Sequence, residues 1–168
     1  MATARSPLTF ALRLLLTYAL FHGAYLLIPD RILHDVLYPT LFGVPTAEIV
    51  GRLAPGEAVS AQANRIASPR AVLEIVRGCD GSGALFLLAA AILSFPASAR
   101  ARTAGLLLGT VFLYALNLAR MIGLYFVAAY RTDWFLPLHT YFIPTLLVVA
   151  VTLFYLVWLG RVGAPVAR

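Results

Sequence analysis

Apolar residues follow one another in long runs along this chain, and these runs predict its architecture. The first run covers residues 8–28, and three more occupy about residues 83–95, 104–130 and 139–159. An α-helix needs about 20 apolar residues to cross a bilayer. The pattern therefore predicts an all-α polytopic membrane protein with about four transmembrane helices.

The individual runs carry different signals. No small-residue cleavage site follows the first run, which predicts an uncleaved N-terminal anchor helix over residues 1–28. The second run is short and ends at Pro96, so we expect its span to begin near Cys79. The third run is too long for one straight span and contains Asn117 and Arg120. It predicts a span over about residues 104–122, followed by a short surface or re-entrant helix.

Residues 29–77 form a more polar region, predicted to be an outer loop region. Apolar residues recur at helical spacing over 31–41, which predicts a short interfacial helix on the membrane surface. Thr46 is expected to cap a second short helix that ends at Leu53. The runs 57–66 and 70–76 stand on either side of a turn signal at 67–69, and predict a small β-hairpin before Cys79.

Composition places the whole chain in a membrane. Apolar residues make up 61% of the 168 residues and charged residues only 12%, whereas soluble domains have about 25% charged residues. Residues 1–168 are therefore interpreted as a single integral membrane domain. The basic residues are all arginines and are not interleaved with aromatic residues, which argues against nucleic acid as a partner. The single cysteine excludes an internal disulfide, and neither a metal nor a cofactor is predicted.

The charges predict an orientation. If four spans begin inside, the inner segments contain no acidic residue, and the outer segments contain every Asp and Glu of the chain. Arginines concentrate on the cytoplasmic side of membrane proteins. Both termini and a tail over 161–168 are thus predicted to be cytoplasmic, and the core over 78–160 presents its polar residues at the outer face. The six inner arginines are Arg5, Arg13, Arg100, Arg102, Arg161 and Arg168.

Cys79 is the first candidate for chemistry. It lies in the glycine-rich stretch 77–83, immediately before an apolar run. A helix N-terminus there would stabilise a thiolate, and the glycines would let backbone N–H groups converge on an oxyanion. Asp80 opposes a thiolate by its charge, so we expect it to point away or to orient another group. The alternative is a small buried thiol beside glycines, such as Gly81, that only allow close helix packing.

Arg120 and His139 are the other candidates. Arg120 lies within an apolar run, and Asn117 is one turn earlier on the same face, so the pair is expected to face a polar site. His139 is expected to begin the last span on the same side as the thiol, ready to act as its base. The alternatives are an arginine that reaches the interface and an interfacial aromatic histidine. His22 and His34 compete for the role of base.

The segments Val76-Arg-Gly-Cys-Asp-Gly81 and Asn117-Leu-Ala-Arg-Met-Ile122, followed by His139, resemble the exosortase/archaeosortase family of membrane cysteine transpeptidases over about residues 70–160. The resemblance implies Cys79 as nucleophile, His139 as base and Arg120 as third catalytic member, with Asn117, Asp80 and Gly81 in support. The family's commonest motif is Cys-Ser-Gly, and Asp80 departs from it. The Arg-Gly-Cys lead-in resembles the short exosortase H subtype.

The resemblance also implies a substrate and a location. The substrates would be exported proteins with a C-terminal sorting signal similar to PEP-CTERM signals: a short motif, one transmembrane helix and a basic cluster. They would be cleaved through a thioester at the periplasmic face of a bacterial inner membrane, in contact with lipid. Two alternatives remain open, a non-catalytic membrane scaffold or assembly subunit, and a small transporter in which Arg120 binds an anion.

Overall fold

Helices dominate the protein. The computed structural model describes residues 7–163, and the chain is mostly helical (79%) with one small β-sheet. Three helical segments are long and apolar enough to cross a membrane, namely Pro7–Leu26, Ala99–Tyr130 and Thr132–Val162. The helical class of the prediction is therefore confirmed, with three such segments where about four were expected. Arg5, Arg168 and most of the predicted tail over 161–168 lie outside the described residues.

The first helix, α1 (Pro7–Leu26), falls within the predicted N-terminal run. Its 20 residues extend for about 30 Å, the thickness of a bilayer core. Only Tyr25 is buried along it, so most of its apolar side chains are exposed. An apolar helix that packs so little against its own chain needs an apolar solvent, which a bilayer supplies.

The predicted surface helix is longer than its sequence pattern indicated. Helical backbone runs from α2 (Asp30–Ile32) through two wide π-helical turns, Leu33–Leu37 and Pro39–Gly43, into α3 (Val44–Leu53). The predicted cap at Thr46 is wrong. Thr46 is fully buried inside the helical run and makes no cap hydrogen bond.

The predicted hairpin is present within a three-stranded antiparallel sheet. Its strands are β1 (Ser60–Gln62), β2 (Arg65–Ala67) and β3 (Val72–Glu74), in the order β1-β2-β3. The run predicted as one strand over 57–66 turns back at Ala63, whose φ of 48° is left-handed, and so supplies two strands. Asn64 fastens this turn, because its side-chain amide donates to the Ile75 carbonyl at 3.0 Å.

The next two helices differ from their predicted lengths in opposite directions. The helix α4 (Ser82–Ser94) has 13 residues and starts three residues after Cys79, so it is shorter than expected. The helix α5 (Ala99–Tyr130) is one continuous helix of 32 residues, and the break predicted near residue 122 is wrong. Proline and π-bulges are common causes of sharp kinks; no proline lies between 97 and 136, and α5 is α-helical throughout. The polar side chains of Asn117 and Arg120 are buried without interrupting the helix.

The last helical segment begins before His139. A 3₁₀ turn at Thr132–Trp134 leads into α6 (Phe135–Pro137), a wide π-helical turn at Leu138–Phe142 and then α7 (Ile143–Gly163). Among residues 131–137, only Arg131 is non-helical. His139 therefore does not begin the last span. It lies in the wide turn, one residue after its start.

Each of the three wide turns comes directly before a proline. The residues Tyr38, Val44 and Ile143 bond back five positions, to Leu33, Pro39 and Leu138, and each precedes a proline. A proline ring in a helix clashes with the carbonyl four residues earlier. Widening the preceding turn removes that clash while the helix continues. The turn that carries His139 is thus a consequence of Pro144.

The chain divides into two compact units, and they differ in charge. Unit 1 comprises Met1–Leu27, Gly83–Leu113 and Val148–Arg168, and unit 2 comprises Ile28–Ser82 and Tyr114–Leu147. Unit 1 contains six arginines and no acidic residue, whereas all seven acidic residues belong to unit 2. The six arginines of unit 1 are the ones that the sequence assigned to the inner segments.

Candidate functional site

The loop that carries Cys79 is fixed by its neighbours in unit 2. The Arg77 side chain donates to the Asp30 carboxylate at 2.9 Å and to the carbonyl of Ile28. Gly78 has a φ of +85°, which glycine adopts at no steric cost, and the Cys79 N–H donates to the Val76 carbonyl at 3.0 Å. These bonds hold the thiol on a tight turn between β3 and α4.

Cys79 is not in the first turn of a helix, which corrects the expectation from the sequence. The helix α4 begins at Ser82, and Asp80 accepts hydrogen bonds from the Ser82 backbone N–H at 3.3 Å and from its hydroxyl at 2.8 Å. A carboxylate at this position is favoured by the positive end of the helix dipole. Asp80 therefore stabilises the start of α4, and its side chain is directed to Ser82.

His139 contacts the thiol. Its Nε2 lies 3.6 Å from Sγ of Cys79, within hydrogen-bond reach of a sulfur atom. The imidazole ring is held by stacking on Phe135, with ring centroids 5.4 Å apart and planes 7° apart. Its Nδ1 is buried and has no hydrogen-bond partner within residues 7–163. Ring stacking thus takes the orienting part that a hydrogen-bonded third residue has in many cysteine–histidine pairs.

Arg120 contacts the same residue from α5. Arg120 is buried, with 8% of the residue exposed, and its Nη1 donates to the Cys79 carbonyl oxygen at 3.1 Å. The Nε of Arg120 is buried and has no partner in the described part of the chain. Burying an unpaired donor on a cation is costly. An oxygen atom from outside the chain would remove that cost.

Asn117 lies one turn before Arg120 and packs on Gly81. A Cβ atom at Gly81 would come within 3.1 Å of the Asn117 Cγ, and Gly81 also has a positive φ of +76°. Asn117 is 2% exposed, and both polar atoms of its amide lack a partner among residues 7–163. The amide is therefore a second unused donor on the same face of α5 as Arg120.

The structure brings all six predicted site residues into unit 2. Direct contacts join Cys79 to His139 and to Arg120, and join Gly81 to Asn117, while Asp80 turns to Ser82. One part of the expectation changes. The N–H groups of Cys79 and Ser82 are used within the loop, whereas Arg120 and Asn117 of α5 present side-chain donors that have no partner among residues 7–163.

The competing histidines have other surroundings. His34 lies in the wide turn Leu33–Leu37, where it approaches the ring of Tyr38 at 5.8 Å. His22 belongs to unit 1 and stacks on Tyr18 at 5.6 Å. Neither makes the contact with sulfur that His139 makes. Within residues 7–163, no group of three His, Cys, Asp or Glu side chains could hold a metal ion, and the absence of a metal stays a prediction.

Two features of unit 2 were not anticipated. Phe135 stacks on His139, and the spacing of four residues was the available signal for it. Glu57 is buried and accepts from the hydroxyls of Tyr125, at 3.0 Å, and Tyr130, with Arg70 at 3.0 Å. The hydrogen bond from Tyr130 holds the pKa of Glu57 below its usual value. These contacts link the sheet region to the end of α5. Glu57 and the two tyrosines are about 70 residues apart in sequence, so no local sequence pattern indicates the cluster.

Comparison with known proteins adds no relative. No family model matches the chain, and no curated protein or solved structure is significantly similar to it. The resemblance to exosortases and archaeosortases therefore rests on the motifs around Cys79, Arg120 and His139.

Proposed function

We propose that this chain is a membrane-embedded cysteine peptidase or transpeptidase of the exosortase/archaeosortase type. The observation that carries the proposal is the 3.6 Å contact between Sγ of Cys79 and Nε2 of His139. Arg120 donates a hydrogen bond to the backbone carbonyl of the same cysteine. Nucleophile, base and a cationic donor are the groups that acyl transfer requires. The three come from separate segments of the chain, which a purely structural thiol would not need.

The proposed reaction uses these contacts. His139 Nε2 takes the thiol proton, and Sγ of Cys79 attacks the carbonyl carbon of the scissile peptide. The tetrahedral intermediate collapses when the C–N bond breaks, and the imidazolium gives its proton to the departing amine. A thioester remains on Cys79. Water or an acceptor amine then attacks it, His139 removes the proton of that nucleophile, and the thiol regains it when the C–S bond breaks.

Arg120 and Asn117 are the proposed stabilisers of the negative oxygen. The guanidinium holds the backbone of Cys79 through Nη1, and its Nε is a buried donor with no partner among the described residues. The Asn117 amide offers a second such donor. Removing one oxyanion donor typically slows catalysis by about 10²–10³. The backbone N–H groups of Cys79 and Ser82 are bonded within the loop, so these two amides are not free for this role.

The substrate and the orientation are part of the same proposal. We infer four spans, with α4 as the short fourth, both termini in the cytoplasm and Cys79 at the periplasmic face of a bacterial inner membrane. The charge difference between the two units supports this orientation, because arginine-rich segments stay in the cytoplasm. The substrates are exported proteins that end in a sorting motif, a transmembrane helix and a basic cluster.

The decisive experiment follows processing in cells. A candidate substrate with such a C-terminal signal is co-expressed with the chain, and its cleavage is measured on immunoblots of membrane fractions. Cys79→Ala and His139→Ala should leave the substrate uncleaved at wild-type expression levels. His34→Ala is the matched control, since this histidine does not touch the thiol, and it should process normally. Cleavage by Cys79→Ala would exclude the cysteine mechanism.

Arg120→Lys tests the role of the guanidinium. A lysine keeps the charge but lacks the planar fork that donates from Nη1 and Nε at once, so we expect processing to fall by about 10² or more. The rate is measured by pulse–chase labelling of the substrate. Normal processing with lysine would reduce Arg120 to a charge that helps to set topology.

Labelling of the thiol separates an enzyme from a membrane scaffold. Cys79 is the only cysteine, so an impermeant maleimide added to spheroplasts reports on it alone. A periplasmic thiol paired with His139 should be alkylated at near-neutral pH, and His139→Ala should slow the alkylation. A thiol that does not react in either protein would favour the scaffold.

A further inference from the structure

A cavity lies within unit 1, among residues that the proposed reaction does not use. It has a volume of about 490 Å³ and an almost wholly apolar lining. Pockets for small ligands commonly have about 300–1,000 Å³. Its walls come from α1, from the end of α4 and from α7. Among the lining residues are Phe10, Arg13, Ser94, Phe95, Tyr155 and Leu159.

Arg13 is the charged residue among the described residues of this lining, and no described acidic side chain forms an ion pair with it. Unit 1 contains no acidic residue, and Arg13 forms no ion pair within residues 7–163. Arg102 of the same unit behaves differently. Its Nε and Nη2 donate to the Phe95 carbonyl at 3.2 and 2.9 Å. Arg13 thus remains an exposed cation beside an apolar cavity, where an anionic group of another molecule can bind it.

Ser94 supplies a second, independent observation at the cavity. Its residue exposure is 4%, and its hydroxyl oxygen is buried without a hydrogen-bond partner among the described residues. A buried hydroxyl that bonds to nothing costs free energy, which an oxygen atom of a bound molecule would recover. A ligand that complements this cavity therefore has an apolar body, an acceptor oxygen and a negative charge.

We propose that this cavity binds an anionic phospholipid. The acyl chain occupies the apolar part, Arg13 binds the phosphate, and the Ser94 hydroxyl donates to an oxygen of the lipid. A free phosphate ion leaves the apolar walls uncovered, and a zwitterionic lipid carries its own cation. A basic peptide is repelled by the six arginines of unit 1. The site is independent of the thiol chemistry, so it stands or falls without the proposed enzymatic activity.

The test uses the full chain in detergent and native mass spectrometry. Phosphatidylglycerol, phosphatidylcholine and inorganic phosphate are titrated separately, and bound lipid is counted. We expect the wild type to retain phosphatidylglycerol preferentially and to retain no phosphate. Arg13→Gln should weaken phosphatidylglycerol binding about fivefold, the factor that one arginine contributes near an anionic surface, and leave phosphatidylcholine unchanged. Arg161→Gln, an exposed arginine of unit 1 outside the cavity lining, should bind as the wild type.

A second variant tests the cavity rather than the charge. Leu159→Trp fills the apolar space and should reduce the binding of both lipids while every arginine is retained. Size-exclusion elution and circular dichroism verify that each variant is folded. Three results would each overturn the proposal: equal losses for Arg13→Gln and Arg161→Gln, no preference between the two lipids, or unchanged binding by folded Leu159→Trp. The first of these would indicate attraction to the surface charge of unit 1 as a whole.

Discussion

Pro144 holds open the wide turn that carries His139, and its replacement by alanine should close that turn. The ring of Pro144 would clash with the carbonyl of Thr140 in a regular helix, and Ile143 instead bonds back to Leu138. Alanine has no such clash and favours a regular interior turn by about 3 kcal/mol relative to proline. Pro144→Ala should therefore convert the Leu138–Phe142 turn to ordinary α-helix.

The geometry gives the size of the effect. The wide turn contains one residue more than an ordinary α-helical turn. Closing it therefore rotates the residues before the turn by about 100° about the helix axis, relative to the residues after it. On a helix whose Cα atoms lie about 2.3 Å from the axis, each Cα moves by about 3.5 Å. The contact from Nε2 of His139 to Sγ of Cys79 is 3.6 Å, so a shift of that size abolishes it. General base catalysis contributes about 10²–10⁴, and we expect a loss in that range.

Two measurements check this prediction. The first is the alkylation rate of Cys79 by a maleimide at near-neutral pH, and the second is the processing of a sorting-signal substrate. The thermal stability of Pro144→Ala should not be lower than that of the wild type, because alanine is more favourable than proline inside a helix. Pro39→Ala is the matched control, since it closes the same kind of turn where no predicted site residue lies. If Pro144→Ala alkylates and processes at the wild-type rate, the proline does not position His139.

Three further perturbations address other contacts of unit 2. Phe135→Ala removes the ring that stacks on the imidazole, a contact worth about 0.5–1.5 kcal/mol, so processing should fall about 2- to 10-fold. Phe142→Ala removes an exposed ring of the turn that carries His139 and should leave processing unchanged. Gly81→Ala and Gly78→Ala both strain a positive φ by about 1–2 kcal/mol, but only the Cβ at position 81 also meets a side chain, that of Asn117. Gly81→Ala should therefore slow alkylation of the thiol more than Gly78→Ala does, and lower thermal stability at least as much. Glu57 has a folded-state pKa below its usual value of 4.5. Its contribution to stability is therefore present above pH 4.5 and is lost as the pH falls through the folded-state pKa. Glu57→Gln should lower the thermal stability of the protein at pH 7 and reduce the further loss of stability in acid.

Each of these predictions has a result that contradicts it. Equal rates for Phe135→Ala and wild type would mean that packing other than the stacked ring orients His139. Equal alkylation of the two glycine variants would mean that Asn117 can move without consequence. An unchanged acid unfolding profile in Glu57→Gln would mean that other carboxylates cause the acid response.

Local patterns predicted the parts of the fold that depend on neighbours in sequence. The apolar runs gave the long helices, and the β-branched runs before Cys79 gave a hairpin, because both signals are contained within a few residues. The interruption expected in α5 failed for an identifiable reason. Arg120 looked like a break in an apolar run, but its charge is accommodated by burial against the Cys79 carbonyl, a contact 41 residues away in sequence.

The position of His139 shows a second limit of sequence patterns. Pro137 stands just before the apolar run 139–159, and proline commonly lies at a helix boundary, which agrees with the expectation that a span begins at His139. Pro144 lies seven residues further along, inside the apolar run, where a helix that widens one turn can include it. Whether a proline ends a helix or widens it depends on what the surrounding turns pack against. That information is in the tertiary structure of unit 2, and no pattern in residues 131–144 contains it.

The position of Asp80 limits how helix α4 could activate the thiol in the proposed reaction. Its carboxylate takes the Ser82 N–H at the start of α4, so the positive end of that helix is already complemented by a negative charge. Cys79 lies outside the helix, beyond the first turn to which the dipole effect is confined. Activation by the helix, which the sequence suggested, is therefore weak. In the proposed reaction His139 therefore removes the proton of Cys79, and Arg120 and Asn117 stabilise the negative charge that develops on the oxygen. The aspartate that opposes a thiolate by its charge thus leaves the proposed chemistry to side chains of α5 and of the turn before Pro144.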